Sequence, residues 1–245
     1  MCNKYDLKLR GKELVRAFKS AYKKYNFEID DFFNDDYVDE LMFPGGLVPA
    51  LLPTKDPDTF RLVTTTWGFP TPIYQGGKEI LITDNNKRDD KLTGYYDDVF
   101  KKRRCLLPMT SIIEWPKDIH GEKYDINIPY RITAESEPDG LFFSAGLFDF
   151  EKKNREFFTT MITTSPNYRF AMYHSRMPVV LPLNEAMDYL TGDEKIARAM
   201  IGPSSSEDIE WKGEMLLEIM GKTEKGKIKK RSLYFKEEAS KPSII

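Results

Sequence analysis

The sequence predicts a single α+β domain with a strand-rich middle and helices toward both ends. Three observations carry this. Runs rich in β-branched and aromatic residues crowd the middle of the chain: FRLVTTTWGF (60–69), CLLPMTSIIEW (105–115), YDINIPYRIT (124–133), GLFFSAGLFDF (140–150) and REFFTTMITT (155–164). Near the two ends, apolar residues recur at helical spacing. No internal repeat and no dividing linker is visible, so the expected domain spans residues 1–222, followed by a polar tail at 223–245.

Residues 7–26 read as a helix because Leu7, Leu14, Val15, Phe18 and Tyr22 share a face, with Lys and Arg between them. The acidic stretch from Glu28 to Glu40 reads as a solvated linker or helix face. FPGGLVPALLPTKDP, starting at Phe43, predicts turns around short strands. Beyond the strand at 60–69, residues 70–79 read as a loop with turn signals at Pro70, Pro72 and Gly76-Gly77. A strand at 79–83, a polar loop at 84–91 and a short helix with a basic end at 95–104 follow. The run 105–115 predicts a buried strand pair, and 116–123 a hairpin loop. MPVVLP (177–182) is a short strand closed by prolines. Helices are expected at 183–192, capped by Asn184, and at 205–221, capped by Ser205 or Ser206; the end of the tail is expected to fray.

Composition excludes several classes. Hydrophobic residues at 40%, with 15 glycines in 245 residues, bring the chain near the globular norm of about 45–50%, which argues against disorder. The 37 Lys and Arg residues against 39 Asp and Glu leave a net charge of −2, so a uniformly basic nucleic-acid coat is excluded while local patches are not. Two cysteines exclude a disulfide scaffold, and two histidines without C-x-x-C or H-E-x-x-H spacing leave no basis for a metal site. The N-terminus has no apolar signal core and no run approaches a membrane span, so no membrane partner and a cytoplasmic location are expected, nuclear only for a eukaryotic source.

Cys2 is the first chemical candidate. Loss of Met1 would place a free α-amine and a thiol on adjacent carbons, two groups that titrate near neutral pH. Such a 1,2-aminothiol captures aldehydes: the amine forms an imine and the thiol closes a five-membered thiazolidine. The amine can also serve as base for its own thiol. Any residue can follow Met1, so position alone leaves an incidental cysteine open. His174, in YHSRMPVVLP, is a candidate for proton transfer or a structural histidine. Glu114, between Ile113 and Trp115, either faces solvent or sits in a pocket that would make it a usable acid or base. His120 reads as exposed. Basic residues cluster on the first helix, at Lys101–Arg104 and at Lys225–Arg231; in the fold they are either solvated or track a phosphate backbone, with Trp67 or Trp115 as stacking face.

Four segments occur in one order: MCNKY at the N-terminus, TTTWGFP, KKRRCLLPMTSIIEW, and TTSPNYRFAMYHSRMPVVLP. Together they resemble the SOS-response-associated peptidase (SRAP) family, the abasic-site processing proteins, whose segments read M-C-G-R-F, W-G-x-x-P, R-R-C-L-x-P-x-x-G-[FW]-x-E-W, T-T-x-A-N and H-x-R-[MR]-P. The resemblance implies a β-rich, mixed or antiparallel, barrel-like core with flanking helices. It implies that Cys2 is the catalytic cysteine, that Glu114 contacts its amine, and that His174 assists proton transfer at the sugar. It places Thr163 in the same pocket and Trp67 near the DNA path. The family's N-A-R-x-E-T corresponds to the stretch Asn86–Lys91, with Asn86 and Arg88 in the first and third places and Asn85 as the alternative frame. Lys4 stands where the family has arginine, keeping the charge without its bidentate geometry.

The function implied is a sensor of abasic sites in single-stranded DNA. Met1 is removed by autoproteolysis, and Cys2 forms a thiazolidine crosslink with the open-chain sugar aldehyde. Glu114 and His174 assist, and Lys4, Trp67, Asn86, Arg88 and Thr163 bind the strand. A thiol peptidase or autopeptidase without a DNA role, and a degenerate member that only binds, are the alternatives. No cofactor and no metal are implied, and a monomer is expected.

Overall fold

The strand-rich middle closes on itself. In the computed structural model, residues 4–9, 11–30, 41–75, 78–115, 129–152, 154–202, 209–222 and 228–234 are described. In chain order the elements are β1 (Tyr5–Asp6), α1 (Gly11–Ala21), β2 (Asn26–Ile29), β3 (Leu41–Met42), β4 (Leu47–Pro53), β5 (Thr59–Trp67), β6 (Phe69–Gln75), β7 (Lys78–Asp84), β8 (Asn86–Arg88) and α2 (Tyr95–Lys102). They continue as β9 (Arg104–Met109), β10 (Ser111–Glu114), β11 (Tyr130–Ala134), β12 (Phe142–Glu151), β13 (Glu156–Thr164), β14 (Met177–Pro178), β15 (Val180–Leu181), α3 (Ala186–Thr191), α4 (Glu194–Met200), β16 (Trp211–Lys222) and β17 (Ile228–Tyr234).

Five strands form a barrel in the order β13-β12-β9-β4-β5, and a parallel pairing of β5 with β13 closes it. This is the β-rich barrel core with flanking helices that the sequence predicts. β4 and β9 are buried along nearly their whole length, as expected where both sheet faces are covered. Inside, Phe18 of α1 stacks on Phe27 and Phe143 with ring centroids 5.3 and 5.4 Å apart. Gly146 of β12 lies opposite Cys105, and a Cβ there would come 2.9 Å from the Cys105 Sγ and 3.2 Å from the Thr160 carbonyl. The glycine thus makes room for the buried thiol.

A second sheet runs β17-β16-β11-β10-β1-β3. The run 105–115 supplies a strand to each sheet, with Thr110 as the corner between β9 and β10. It is two buried strands, as expected, but they pair with other strands rather than with each other. The segment 205–221, expected as a helix, is instead β16 from Trp211 onward. Pairing with β11 overrides helical spacing, because five register pairs from Tyr130↔Met215 to Ala134↔Trp211 satisfy both backbones. Trp211 packs edge-on to Phe142 and Phe170, and a Cβ on Gly213 would lie 2.7 Å from ring atoms of Tyr173. Residues 228–234 of the polar tail pair with β16 as β17.

Residues 69–75 are a strand, not a loop. The ribbon β6–β7 has two strands, so each has an edge outside the ladder, and alternation puts Pro70 and Pro72 on one edge. The helix at 183–192 begins at Ala186; the N–H groups of Glu185 and Ala186 donate to the Pro182 carbonyl at 3.1 Å, so the expected Asn184 cap is not used. α4 was not anticipated, although Asp193 caps it by accepting from the Ile196 N–H at 2.9 Å. The expectations for the acidic residues 31–40, Gly76-Gly77, the loop 116–123 and the Ser205 or Ser206 cap lie outside the described residues.

Substituting Gly146→Ala is expected to lower unfolding stability by about 1–3 kcal/mol through overpacking. Adding Cys105→Ala should recover part of that loss, because one of the two close contacts is with the thiol. Chemical denaturation of the two single variants and the double variant measures the coupling.

Candidate functional site

The site begins with the N-terminal strand. β1 lies between β10 and β3, with Tyr5 opposite Ile112 and Met42. The Lys4 carbonyl accepts from the Ile113 N–H at 3.0 Å, so the antiparallel register sets Lys4 beside the residue before Glu114. Asp6 locks the strand. Its carboxylate is 3% exposed and accepts from Ser111 Oγ at 2.9 Å and from Arg131 Nε at 2.8 Å. Its carbonyl accepts from the Thr110 N–H at 2.8 Å, and Thr110 Oγ1 accepts from the Lys8 N–H at 3.0 Å. Glu114 is 3% exposed at the end of β10, opposite Tyr130 of β11. Glu114 is thus buried rather than solvent-facing, one of the two placements considered from the sequence. Beside it, the Lys4 ammonium sits 5.0 Å from the centre of the Trp115 ring.

A second group converges at the end of β13. Thr163 is buried between β8 and β14, in register with Arg88 on one side and Pro178 on the other. Asn86 is buried at the start of β8, opposite Met161. His174 follows a helical turn, its backbone N–H donating to the Phe170 carbonyl. Its Nδ1 accepts from the Arg176 N–H at 3.0 Å and lies 2.9 Å from the Arg176 carbonyl. With its proton on Nε2 the neutral ring accepts at Nδ1 from the Arg176 N–H, and with a proton on Nδ1, neutral or charged, it donates to that carbonyl. Both charge states find a partner without ring movement, which suits proton transfer.

Two aromatic contacts join the groups. Tyr5 packs edge-on to Trp67 at 5.2 Å, and Trp67 Nε1 donates to the Asn85 carbonyl at 2.8 Å, tying β1 to the start of β8. Tyr130, opposite Glu114, lies 5.7 Å from Tyr173, the residue before His174. These contacts tie the sheet that holds Glu114 to the segments that hold Asn86 and His174. Trp67, expected as a stacking face, is fully buried. The closure of β5 onto β13 turns it inward, so its ring holds Tyr5 and Asn85 and offers no face to a base. Arg88 is exposed and pairs with Asp90 through Nε at 2.8 Å and Nη2 at 2.7 Å. Lys87 is used internally, 3.7 Å from the centre of the Tyr96 ring and 3.5 Å from Asp84. Cys2 and His120 lie outside the described residues.

Two residues that the sequence reading missed complete this end. Arg176 donates to Asp89 at 2.9 Å and to the Thr163 carbonyl, and Thr164 Oγ1 donates to Asp89 at 2.7 Å. The H-x-R pattern contains Arg176, but nothing in the sequence pairs it with Asp89. Of the basic run before Cys105, Lys101 pairs with Asp97, Arg103 with Asp149, and Arg104 donates to the Gly192 carbonyl at 2.6 Å. That run holds the fold rather than a phosphate backbone. Basic residues of α1 and its flanks, including Lys12, Arg16, Lys19 and Lys23, remain exposed.

The fold and site define a barrel protein whose own N-terminal strand builds the candidate site. Residues 1–213 match the SOS response associated peptidase (SRAP) family, and the chain belongs to it. It is 27% identical over 202 residues to YoqW of Bacillus subtilis, an abasic site processing protein, covering 75% of this chain and 86% of that one. A second abasic site processing protein of that organism, YoaM, is 28% identical over 203 residues, covering 75% of this chain and 82% of that one. In fold, the chain is similar to crystal structures of a Bordetella bronchiseptica protein (TM-score 0.62, 20% identity, 86% of this chain and 99% of that one) and a Bacteroides thetaiotaomicron protein (TM-score 0.63, 18% identity, 86% and 91%). Among the described residues, no helix is long and apolar enough to cross a membrane.

Cutting Asp6 back to alanine removes the buried carboxylate that pairs with Arg131 and accepts from Ser111, and unfolding stability is expected to fall by about 3 kcal/mol in denaturant titration. Burial pushes the Cys105 thiol well above its ordinary value. A Cys2→Ala variant should therefore give no native reaction with a thiol reagent near pH ~8, and a single thiol per chain once unfolded.

Proposed function

We propose that this protein senses abasic sites in single-stranded DNA and crosslinks itself to them through Cys2. The observation that carries the reading is the register of β1 on β10, which sets Lys4 beside Ile113, next to the buried Glu114. Two residues span at most about 7 Å, so a Cys2 amine freed by loss of Met1 is within reach of that carboxylate. The names of the relatives from Bacillus subtilis support abasic-site DNA as the substrate.

The chemistry balances without an oxidant or a cofactor. The Cys2 amine attacks the C1′ aldehyde of the ring-opened sugar to give a carbinolamine, which loses water to form an imine. The Cys2 sulfur then adds to the imine carbon, the nitrogen takes up a proton, and the thiazolidine closes. Glu114 accepts the proton that the attacking amine sheds. His174, with a partner at Nδ1 in either charge state, moves the proton that opens the furanose ring. Thr163 and Asn86 border the pocket, while Lys4 and Arg88 meet the flanking phosphates. Removal of Met1 would run by attack of the Cys2 thiol on the Met1 carbonyl, transfer of that acyl group from nitrogen to sulfur, and hydrolysis of the thioester by water to release methionine and free both amine and thiol, which is consistent with the family's peptidase label.

Intact-mass measurement before and after incubation with a single-stranded oligonucleotide bearing one abasic site tests this. The expected result is a chain lacking Met1 that gains one oligonucleotide mass, with no adduct in Cys2→Ala. Glu114→Gln and His174→Ala are each expected to slow adduct formation by about 100-fold. Retained Met1 with no adduct in the unaltered chain, or an adduct that persists in Cys2→Ala, overturns the reading.

A further inference from the structure

We propose that the helical turn leading into His174 carries a base-stacking shelf, formed by Tyr168 and Met172, for the nucleotide next to the lesion. This rests on the DNA reading above and adds a contact to it. Tyr168 is 77% exposed, the most exposed large hydrophobic residue among those described, and Met172 is 54% exposed. They are four residues apart on a turn whose Ala171 N–H donates to the Asn167 carbonyl at 2.9 Å, so they share a face. The opposite face is anchored. Phe170 and Tyr173 are buried, Phe170 packs on Trp211 at 5.9 Å, and the Phe170 N–H donates to Asn167 Oδ1 at 2.9 Å.

The exposed ring is also held in orientation. Arg169 Nε donates to the Tyr168 hydroxyl at 2.7 Å, its guanidinium lies 5.5 Å from the ring centre, and its Nη1 donates to the Ile209 carbonyl at 3.1 Å. A tethered aromatic ring with an adjacent cation suits a nucleobase with its phosphate, because stacking needs only a π-face and tolerates any base. Ser165 and Ser175, before and after this turn in sequence, are also exposed. Tyr168 lies six residues before His174, about 9 Å along a helical turn, within reach of a strand whose lesion occupies the site. With Trp67 buried, this turn supplies the stacking face that Trp67 does not.

The test uses single-stranded oligonucleotides carrying tetrahydrofuran, an abasic analogue with no aldehyde, flanked in turn on the 5′ and 3′ side by 2-aminopurine. Quenching of 2-aminopurine on one side is expected for the unaltered chain and for Tyr168→Phe, and should be lost in Tyr168→Ala. Affinity, read by anisotropy, should fall about 5- to 100-fold in Tyr168→Ala. The two proteins should bind alike when that neighbouring base is itself replaced by tetrahydrofuran. Binding and quenching unchanged by Tyr168→Ala overturn the shelf and leave the crosslinking reading standing. No binding of any of these strands by the unaltered chain overturns the shelf and the DNA reading together.

Discussion

The buried carboxylate of Asp6 holds the N-terminal strand in its sheet, and the candidate site is assembled from that point outward. A charge removed from water is tolerable only when paired and hydrogen-bonded. Arg131 and Ser111 provide both, and they belong to the two strands that follow one another in the sheet, β11 and β10. The strand cannot slip by one residue without turning Asp6 to the opposite face, away from Arg131 and Ser111. Registry therefore fixes Lys4 beside Ile113, the residue before Glu114.

The barrel makes this arrangement rigid. Thr110 sits at the corner where one continuous run leaves the barrel and enters the second sheet, and it bonds the backbone at Asp6 and Lys8. Closure of β5 onto β13 buries Trp67, whose ring and Nε1 then brace Tyr5 and Asn85. The same strand β13 ends at Thr163 and Thr164, where Arg176 and Asp89 hold the segment after His174 against the end of β8. Residues at risk of motion, on short strands and a turn, are thus fixed by buried polar pairs rather than by their own secondary structure.

The exposed Tyr168 contrasts with this tightly paired interior. Apolar surface left open on an anchored turn is informative because the turn has buried neighbours it could have joined, as Phe170 and Tyr173 did. The basic residues divide in the same way. Lys101, Arg103 and Arg104 before Cys105 are taken up by ion pairs and carbonyls, whereas those of α1 stay at the surface. Residue type alone does not separate the two groups.

The sequence by itself determined the strand-rich middle, the first helix, and the identities of Glu114, His174, Thr163 and Asn86 as candidates, because these depend on local patterning and on motifs read along the chain. It did not determine that β16 is a strand, since the apolar spacing of 209–219 fits a helix as well and only the edge of β11 decides between them. Nor did it show that Trp67 is a brace, that Arg176 pairs with Asp89, or that Glu114 is buried. Each of these depends on which strands become neighbours when the barrel closes, and that choice is made by contacts between residues far apart in sequence. Chemistry was legible one residue at a time; position, burial and pairing were decided only by the tertiary structure.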